Sequence, residues 1–510
     1  MSTQTYLIDT NVIISLEDNH AVKPAFSAFF KLASKYKVGV FVHAEAKDDI
    51  LRDKDELRKQ ISLSKLRKFQ VIEKVRGLQE EELEDSFGPI RKPNDLVDST
   101  LLHALSIGAA DFLVTEDKGL HLRARRNSAE LGRRVLHIVD AVELLRTTFE
   151  PKEIPVRFVE EVIAHTIPLA DGIFNTLRED YPGFDSWWQN KCIREHRSCW
   201  VVYDGGVAGI VVRKDEGAAD TDAILDANKI LKICTFKVRS EKRGTKLGEL
   251  LLKKVFWYAQ KNKYDLVYVT TYESQVTLID LLEFYGFAKT QVRSDGELVY
   301  EKTFSSEKLL KKKEENIYCL DRRSYPRFVT PPGIRCFGIP IKENYHDVLF
   351  PDLKEVYQDD LFDQVGLGSG PRRPGNTIRK VYLCRAPSNL SEAGSLLFFY
   401  KGKSRGSPSQ ALTAIGVLEE VALARSTIEL MRLTGGRSVY SEVELERWNA
   451  SIRPVKVINF LLVGYVEPVI TASDLMKEGV FNNNPPQSIF EIKEEKALGI
   501  LNKIDLGFSV

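Results

Sequence analysis

Ile230–Phe256 reads ILKICTFKVRSEKRGTKLGELLLKKVF. Its first nine residues, apolar but interrupted by Lys232, Thr235 and Lys237, suit a half-buried strand. A glycine-bearing turn follows, and LGELLLKKVF repeats its apolar residues at helical spacing. In a strand–turn–helix unit of this kind, the first N–H groups of the helix lack intrahelical acceptors and sit at the positive end of the helix dipole. They therefore make a natural anion site, and glycine lets the backbone approach a ligand closely. Val238 closes the strand, and Arg243, Gly244, Thr245, Lys246, Leu247 and Gly248 form the candidate cradle. The plainer reading is a strand–turn–helix with a lysine-rich turn.

The flanking sequence extends the pattern over about 156–305. Upstream, CWVVYD and VAGIVVRK are joined through Gly205-Gly206, a hairpin signal. Downstream come the strand LVYVTT, the helix and turn LIDLLEFYGFAKT, and the strand ELVYEKTF. Together these resemble the GNAT acetyltransferases, whose coenzyme A motif is Arg/Gln-x-x-Gly-x-Gly/Ala. Arg243 matches its first position and Gly248 its last, while Lys246 stands at the middle glycine. The resemblance implies that the cradle holds the pyrophosphate of acetyl-CoA. It also implies that the strand ending at Val238 pairs with the pantetheine arm, and that an acetyl group moves to an amine on a protein or RNA. The tyrosine often found four residues before the glycine is Leu282 here; Tyr285 is displaced toward a core role, and Glu273 is the candidate base.

In residues 1–150 strands alternate with helices, the pattern of a parallel α/β sheet. Asp9 follows the strand TYLI, Asp49 follows VGVFV, and Asp117 follows DFLVT. Asp95 and Asp98 lie three apart at the start of an apolar helix, so they share a face. Carboxylates at strand ends and helix starts supply the hard oxygen donors that Mg²⁺ or Mn²⁺ takes. Such an ion activates water and neutralises a scissile phosphodiester. Helix N-caps and solvated charges are the common alternative uses of each acid alone. Strand-DTN, an acid after the second strand, DSTLLHAL and strand-TED resemble the PIN-domain ribonucleases over nearly all of residues 1–148. That likeness implies Asp9, Asp98 and Asp117 as catalytic metal ligands. Asp49 fits the second motif best, with Glu45 and Asp48 as competitors. Asp95 is an auxiliary ligand or a cap, and Asn11 and Thr115 orient the ligands. The run Arg123, Arg125, Arg126 is a candidate for the nucleic-acid backbone. Dimerisation, common in that family, makes a homodimer an expectation.

Residues 317–510 begin with Pro, Gly and Arg-rich loops and continue as β-patterned runs. Arg322, Arg323, Arg327, Arg335, Arg372 and Arg373 accompany Tyr318, Tyr325 and Phe328, a mixture that can hold phosphates while stacking bases. The runs GSLLFFYKG and ALTAIGVLEEV faintly resemble PUA-like barrels of the ASCH type, which implies RNA or a modified nucleotide as ligand.

At 510 residues the chain is too long for one core and calls for about three domains. The fold class expected is multidomain α/β: a PIN-like parallel sheet, a GNAT-like α+β domain, and a PUA-like β-barrel or α+β domain. PKEIP from Pro151 and KLLKKKEEN from Lys308 read as linkers. Lys and Arg (73) almost cancel Asp and Glu (72), so any hold on RNA must come from a local patch. Six cysteines without a CxxC pair suit a reducing compartment and argue against structural zinc. No leader or spanning segment is visible, which makes a soluble cytoplasmic protein with no membrane partner the expectation. The functional expectation is a metal-dependent ribonuclease, with an N-acetyltransferase as its rival and a non-catalytic RNA adaptor as a third reading.

Overall fold

The computed structural model describes residues 4–14, 24–52, 54–72, 78–150, 157–242, 244–304, 316–353, 377–403, 408–434, 437, 440, 442–449, 453–482 and 484–506. Both expected linkers, apart from Asn316, lie outside these residues, as do Arg243, Arg372 and Arg373. The chain forms two compact units: Met1–Glu153 with Ala422–Val457, and Ile154–Val421 with Ile458–Val510. It is a multidomain α/β protein with one parallel sheet and two mixed ones. Among the described residues no helix is long and apolar enough to cross a membrane.

The first unit is built on β1 (Thr5–Ile8), β2 (Gly39–His43), β3 (Gln70–Ile72), β4 (Phe112–Val114) and β5 (Val135–Leu136). They lie in the order β3-β2-β1-β4-β5, with parallel pairing throughout. A parallel sheet needs both faces covered, and successive residues serve opposite faces. Tyr6, Ile8, Phe112 and Val114 pack with Phe26, Phe29 and Leu145 on one side. Leu7 and Leu113 pack with Leu101, Leu102 and Leu120 on the other. From β1 the chain goes to β2 and β3 on one side, and β4 returns on the other, so the strand order reverses between β1 and β4. Asp9 and Thr115 directly follow these two strands, at the crevice where such sheets bind ligands.

The helix Thr427–Thr434 belongs to the same unit and meets the opposite end of that sheet. Gln4 donates to Met431 Sδ at 2.9 Å, and Arg432 Nε donates to Asp111 Oδ1 at 2.8 Å. Asp111 Oδ2 accepts from the Thr5 amide and hydroxyl at 2.7 and 2.8 Å. Removing Arg432 leaves the buried Asp111 carboxylate without its cation. Arg432→Ala is expected to cost about 3 kcal/mol, read as a lower urea midpoint for the full chain; an unchanged midpoint would make the contact incidental.

The second unit carries two sheets. One comprises β6 (Glu160–Ile163), β7 (Ser198–Tyr203), β8 (Val207–Gly217), β9 (Lys229–Val238), β10 (Leu266–Thr271), β11 (Ala288–Val292) and β12 (Leu298–Thr303). Its order is β11-β12-β10-β9-β8-β7-β6, parallel at β9–β10 and antiparallel elsewhere. Gly205 and Gly206, at φ +67° and +113°, make the β7–β8 turn. The other sheet comprises β13 (Cys336–Ile341), β14 (Arg379–Cys384), β15 (Leu396–Lys401), β16 (Ala411–Ala424), β17 (Val455–Thr471) and β18 (Phe490–Ile492), in the order β14-β17-β16-β15-β13-β18. One continuous core serves both sheets, running from Leu251 and Phe256 through Tyr285 and Tyr325 to Phe398 and Leu461.

Candidate functional site

β9 and β10 pair from Ile230↔Leu266 to Ile233↔Val269 and then part. Each stays held by its outer neighbour: β9 pairs with β8 as far as Val238↔Gly209, and β10 with β12 as far as Thr271↔Leu298. The parting begins at an irregularity. On β8 and β9, Val212 pairs with Thr235 and Arg213 with Ile233, leaving Cys234 as an extra residue. A bulge of this kind bends its strand and increases the local twist. The β9–β10 ladder therefore ends at Ile233, and β9 runs on to Val238 paired with β8.

The turn beyond β9 leads to the helix Leu247–Lys261. It is pinned by Arg239 Nη2 on Asp171 at 2.8 Å and Lys242 Nζ on Asp204 at 2.7 Å. Gly244 has φ +82° and Lys246 φ +64°. Lys246, which departs from the expected middle glycine, thus adopts the left-handed backbone that glycine favours, at a strain of roughly 1–2 kcal/mol. Thr245 Oγ1 donates to Lys242 O at 2.6 Å, and Leu247 is buried. A Cβ on Gly248 would stand 3.3 Å from Leu281 Cδ2 and 3.9 Å from Phe236 Cε1, so glycine sets the helix close to β9.

Glu249, though in the first helical turn, points into the core. It accepts from Tyr285 Oη at 3.1 Å and from the Arg379 amide at 2.7 Å. Tyr285 and Leu282 are buried, so neither stands at the strand gap as a proton donor, whereas Glu273 is exposed just past β10. The same helix carries further contacts at helical spacing: Lys253 Nζ reaches Asp352 at 2.6 Å, Trp257 Nε1 donates to Tyr325 Oη at 2.8 Å, and Arg327 Nε donates to Gln260 at 3.2 Å. Sequence periodicity marks this helix as apolar on one face; it cannot show that a second, polar stripe engages the C-terminal sheet.

At the reversal of strand order in the first unit, Asp9 is buried. Its Oδ2 accepts from Thr115 Oγ1 and its Oδ1 from the Thr10 amide, each at 2.6 Å. Thr115 Oγ1 in turn accepts from Asn11 Nδ2 at 3.0 Å and from the Asp117 amide at 2.9 Å. Burial holds the Asp9 carboxyl up at about 6 despite these hydrogen bonds, with the charges of Asp117 and Asp49 adding to the effect. Burial, then Asp117 and Asp9, push Asp98 up to about 8. Asp98 is half-buried and accepts no hydrogen bond among the described residues. Asp9, Asp98 and Asp117 therefore share one crevice closely enough to feel one another's charge.

The expected metal set of Asp9, Asp49, Asp98 and Asp117 is not assembled as a cage. Among the described residues no three His, Cys, Asp or Glu side chains converge on an ion position. Asp117 is exposed and caps its helix through Leu120 N at 2.9 Å; Asp49 is held by Arg52 at 2.9 Å. The competitors fare no better, since Asp48 is exposed and Glu45 precedes the helix Ala46–Leu51. Asp9, Asp98 and Asp117 are of the right chemistry and feel one another's charge, but no three acids of the set meet at one ion position among the described residues. Asp95 is a cap, accepting the Arg91 and Lys92 amides and pairing with Arg123 at 2.9 Å. Arg123 is further occupied by the carbonyls of Phe87, Gly88 and Pro89, which removes it from the proposed backbone-binding run.

The aromatic members of the third segment's set turn inward, and its described arginines Arg322 and Arg335 are engaged within the fold. Tyr318, Tyr325 and Phe328 are buried. Arg322 lies over Phe284 at 4.4 Å, and Arg335 is paired with Glu491 at 2.9 Å. These residues join elements rather than present a base-stacking surface, because large rings find more apolar area in the shared core than at a loop.

No family model matches the chain, and no curated protein matches it. Solved structures similar in part include an ASCH protein from Zymomonas mobilis, at 14% identity over 33% of this chain and 95% of that one, with a TM-score of 0.24. An IAA acetyltransferase from Bacillus cereus is 16% identical over 29% of this chain and 98% of its own, with a TM-score of 0.22. The PaiA N-acetyltransferase from Thermoplasma acidophilum, in complex with coenzyme A, is 11% identical over 29% and 99%, at 0.23. Likenesses this distant leave the chemistry to be read from the chain's own residues.

Proposed function

We propose that the second unit binds acetyl-coenzyme A and transfers its acetyl group to an amine, as the GNAT resemblance implies. The observation that carries the reading is the parting of β9 and β10 beside the turn into helix Leu247–Lys261. An extended amide-bearing arm can enter between β9 and β10 beyond Ile233, where the two strands have parted, while the first-turn amides of the helix receive a pyrophosphate. The amine nitrogen attacks the thioester carbonyl carbon; the C–N bond forms, the C–S bond breaks, and the thiolate takes up the proton that the nitrogen releases. Titration calorimetry with acetyl-CoA, followed by thiol release in the presence of amine acceptors, tests it. No binding heat at millimolar ligand would end this reading.

A second reading rests on a different observation, the mutual charge of Asp9, Asp98 and Asp117. A divalent cation drawn to that crevice would supply an activated water for cleaving RNA, as the PIN resemblance implies. Asp9 and Asp98 would hold it, and the Asn11–Thr115–Asp9 hydrogen bonds would keep Asp9 oriented. Incubating end-labelled RNA with Mn²⁺, Mg²⁺ or EDTA, native against Asp98→Asn, decides it: intact RNA in every lane removes the nuclease.

A further inference from the structure

Resting on the acetyltransferase reading, the rim of the strand gap narrows the acceptor's chemistry. Tyr272 and Glu273 directly follow β10, at the end where β9 and β10 have parted. Thr271 pairs with Leu298, so the β11–β12 turn lies at the same end. That turn is closed by Arg293 N on Glu297 O at 2.8 Å and by Gly296 at φ +86°, which brings Asp295 and Glu297 to the rim. The Tyr181 ring lies on Tyr272 with centroids 5.2 Å apart at 35°, giving the rim a two-ring aromatic wall.

The charge there is one-sided. Asp295 and Glu297 add to burial in raising the Tyr272 phenol. Glu273 is exposed and has no ion pair among the described residues. Arg293, the cation of this turn, is shared among Asp222 at 3.3 Å and Asp295 and Glu297 at 3.7 Å each, and Asp222 also takes Lys232 at 2.7 Å. Phenol faces and carboxylates together attract a cation and repel an anion.

We infer that the acceptor is a primary amine embedded in positive charge, such as a lysine within a basic peptide, recognised by Tyr181, Tyr272, Glu273, Asp295 and Glu297. A nucleic-acid phosphate backbone would be repelled by the same rim. The carboxylates raise the local concentration of the cationic acceptor, and the rings receive its charge as water leaves.

The test compares acetyl transfer to two lysine peptides of equal length, one flanked by Lys and Arg and the other by Glu. The native chain should prefer the basic peptide at least tenfold in kcat/KM, less so at high salt. Asp295→Asn with Glu297→Gln should remove most of that preference, mainly through KM, while acetyl-CoA affinity stays put. Tyr272→Ala should lower kcat/KM for the basic peptide about tenfold, with acetyl-CoA affinity retained. Equal use of both peptides, transfer only to the acidic one, or coenzyme binding with no transfer to either overturns the inference. Absence of acetyl-CoA binding instead overturns the reading beneath it.

Discussion

Gly248→Asp should abolish coenzyme A binding while leaving the fold intact. The new carboxylate would sit in the first turn of helix Leu247–Lys261, where the helix dipole favours a negative charge, so the helix itself gains slightly. The same carboxylate would add a negative charge beside the first-turn amides proposed to receive the pyrophosphate and so repel it. Its Cβ meets Leu281 at 3.3 Å, a contact the flexible end of leucine can relieve. Affinity for acetyl-CoA is expected to fall at least 100-fold, equivalent to about 3 kcal/mol, with the thermal midpoint nearly unchanged. The companion variant Lys246→Gly relieves a left-handed lysine, so its affinity should stay within about threefold of native and its stability should rise. If Gly248→Asp binds normally, the cradle lies elsewhere.

Asp98→Asn should make the protein more stable at pH 8, not less. The Asp98 carboxyl is raised to about 8 in the fold, chiefly by burial and by Asp117 and Asp9, against an unfolded value near 3.8. For an acid raised on folding, the folded state binds the proton more tightly. Stability is then greatest below the unfolded value and falls as pH climbs from about 4 to about 8. Asparagine imitates the protonated form without the later loss. After allowance for solvent screening, the gain at pH 8 is on the order of 3 kcal/mol, or roughly 5–10 °C in the unfolding transition of that unit. The gain should vanish near pH 4. A divalent cation offers the native chain the same relief, so Mn²⁺ should raise its midpoint at pH 8 and do nothing for Asp98→Asn. An equal response of both proteins would return the carboxylates to a structural role.

Much of this was legible in the chain because it depends on neighbours along it. Alternating strands and helices, the Gly205-Gly206 hairpin and the strand–turn–helix at Ile230–Phe256 are local patterns, and the structure forms each one. The proximity of Asp9, Asp98 and Asp117 follows from where parallel strands end, which strand–helix order already implies. The roles of Arg123 and Tyr325 were not legible. A guanidinium in a basic run looks the same whether it meets RNA or the carbonyls of Phe87 and Gly88. An aromatic residue in a proline-rich loop looks the same whether it stacks a base or accepts from Trp257.

By itself, then, the order of residues determined the elements, the parallel sheet with carboxylates at its strand ends, and the glycine turn after β9. Those follow from backbone propensity and periodicity, which act over a few residues. Only the tertiary structure decided that β9 and β10 part after Ile233, that Lys246 keeps a glycine's conformation, and that Tyr181 comes to lie on Tyr272. It also decided that the helix Thr427–Thr434 belongs with the parallel sheet, through Arg432 and Asp111. Contacts between residues hundreds of positions apart depend on which surfaces bury the most apolar area and satisfy the most charge together, and no local pattern encodes that sum.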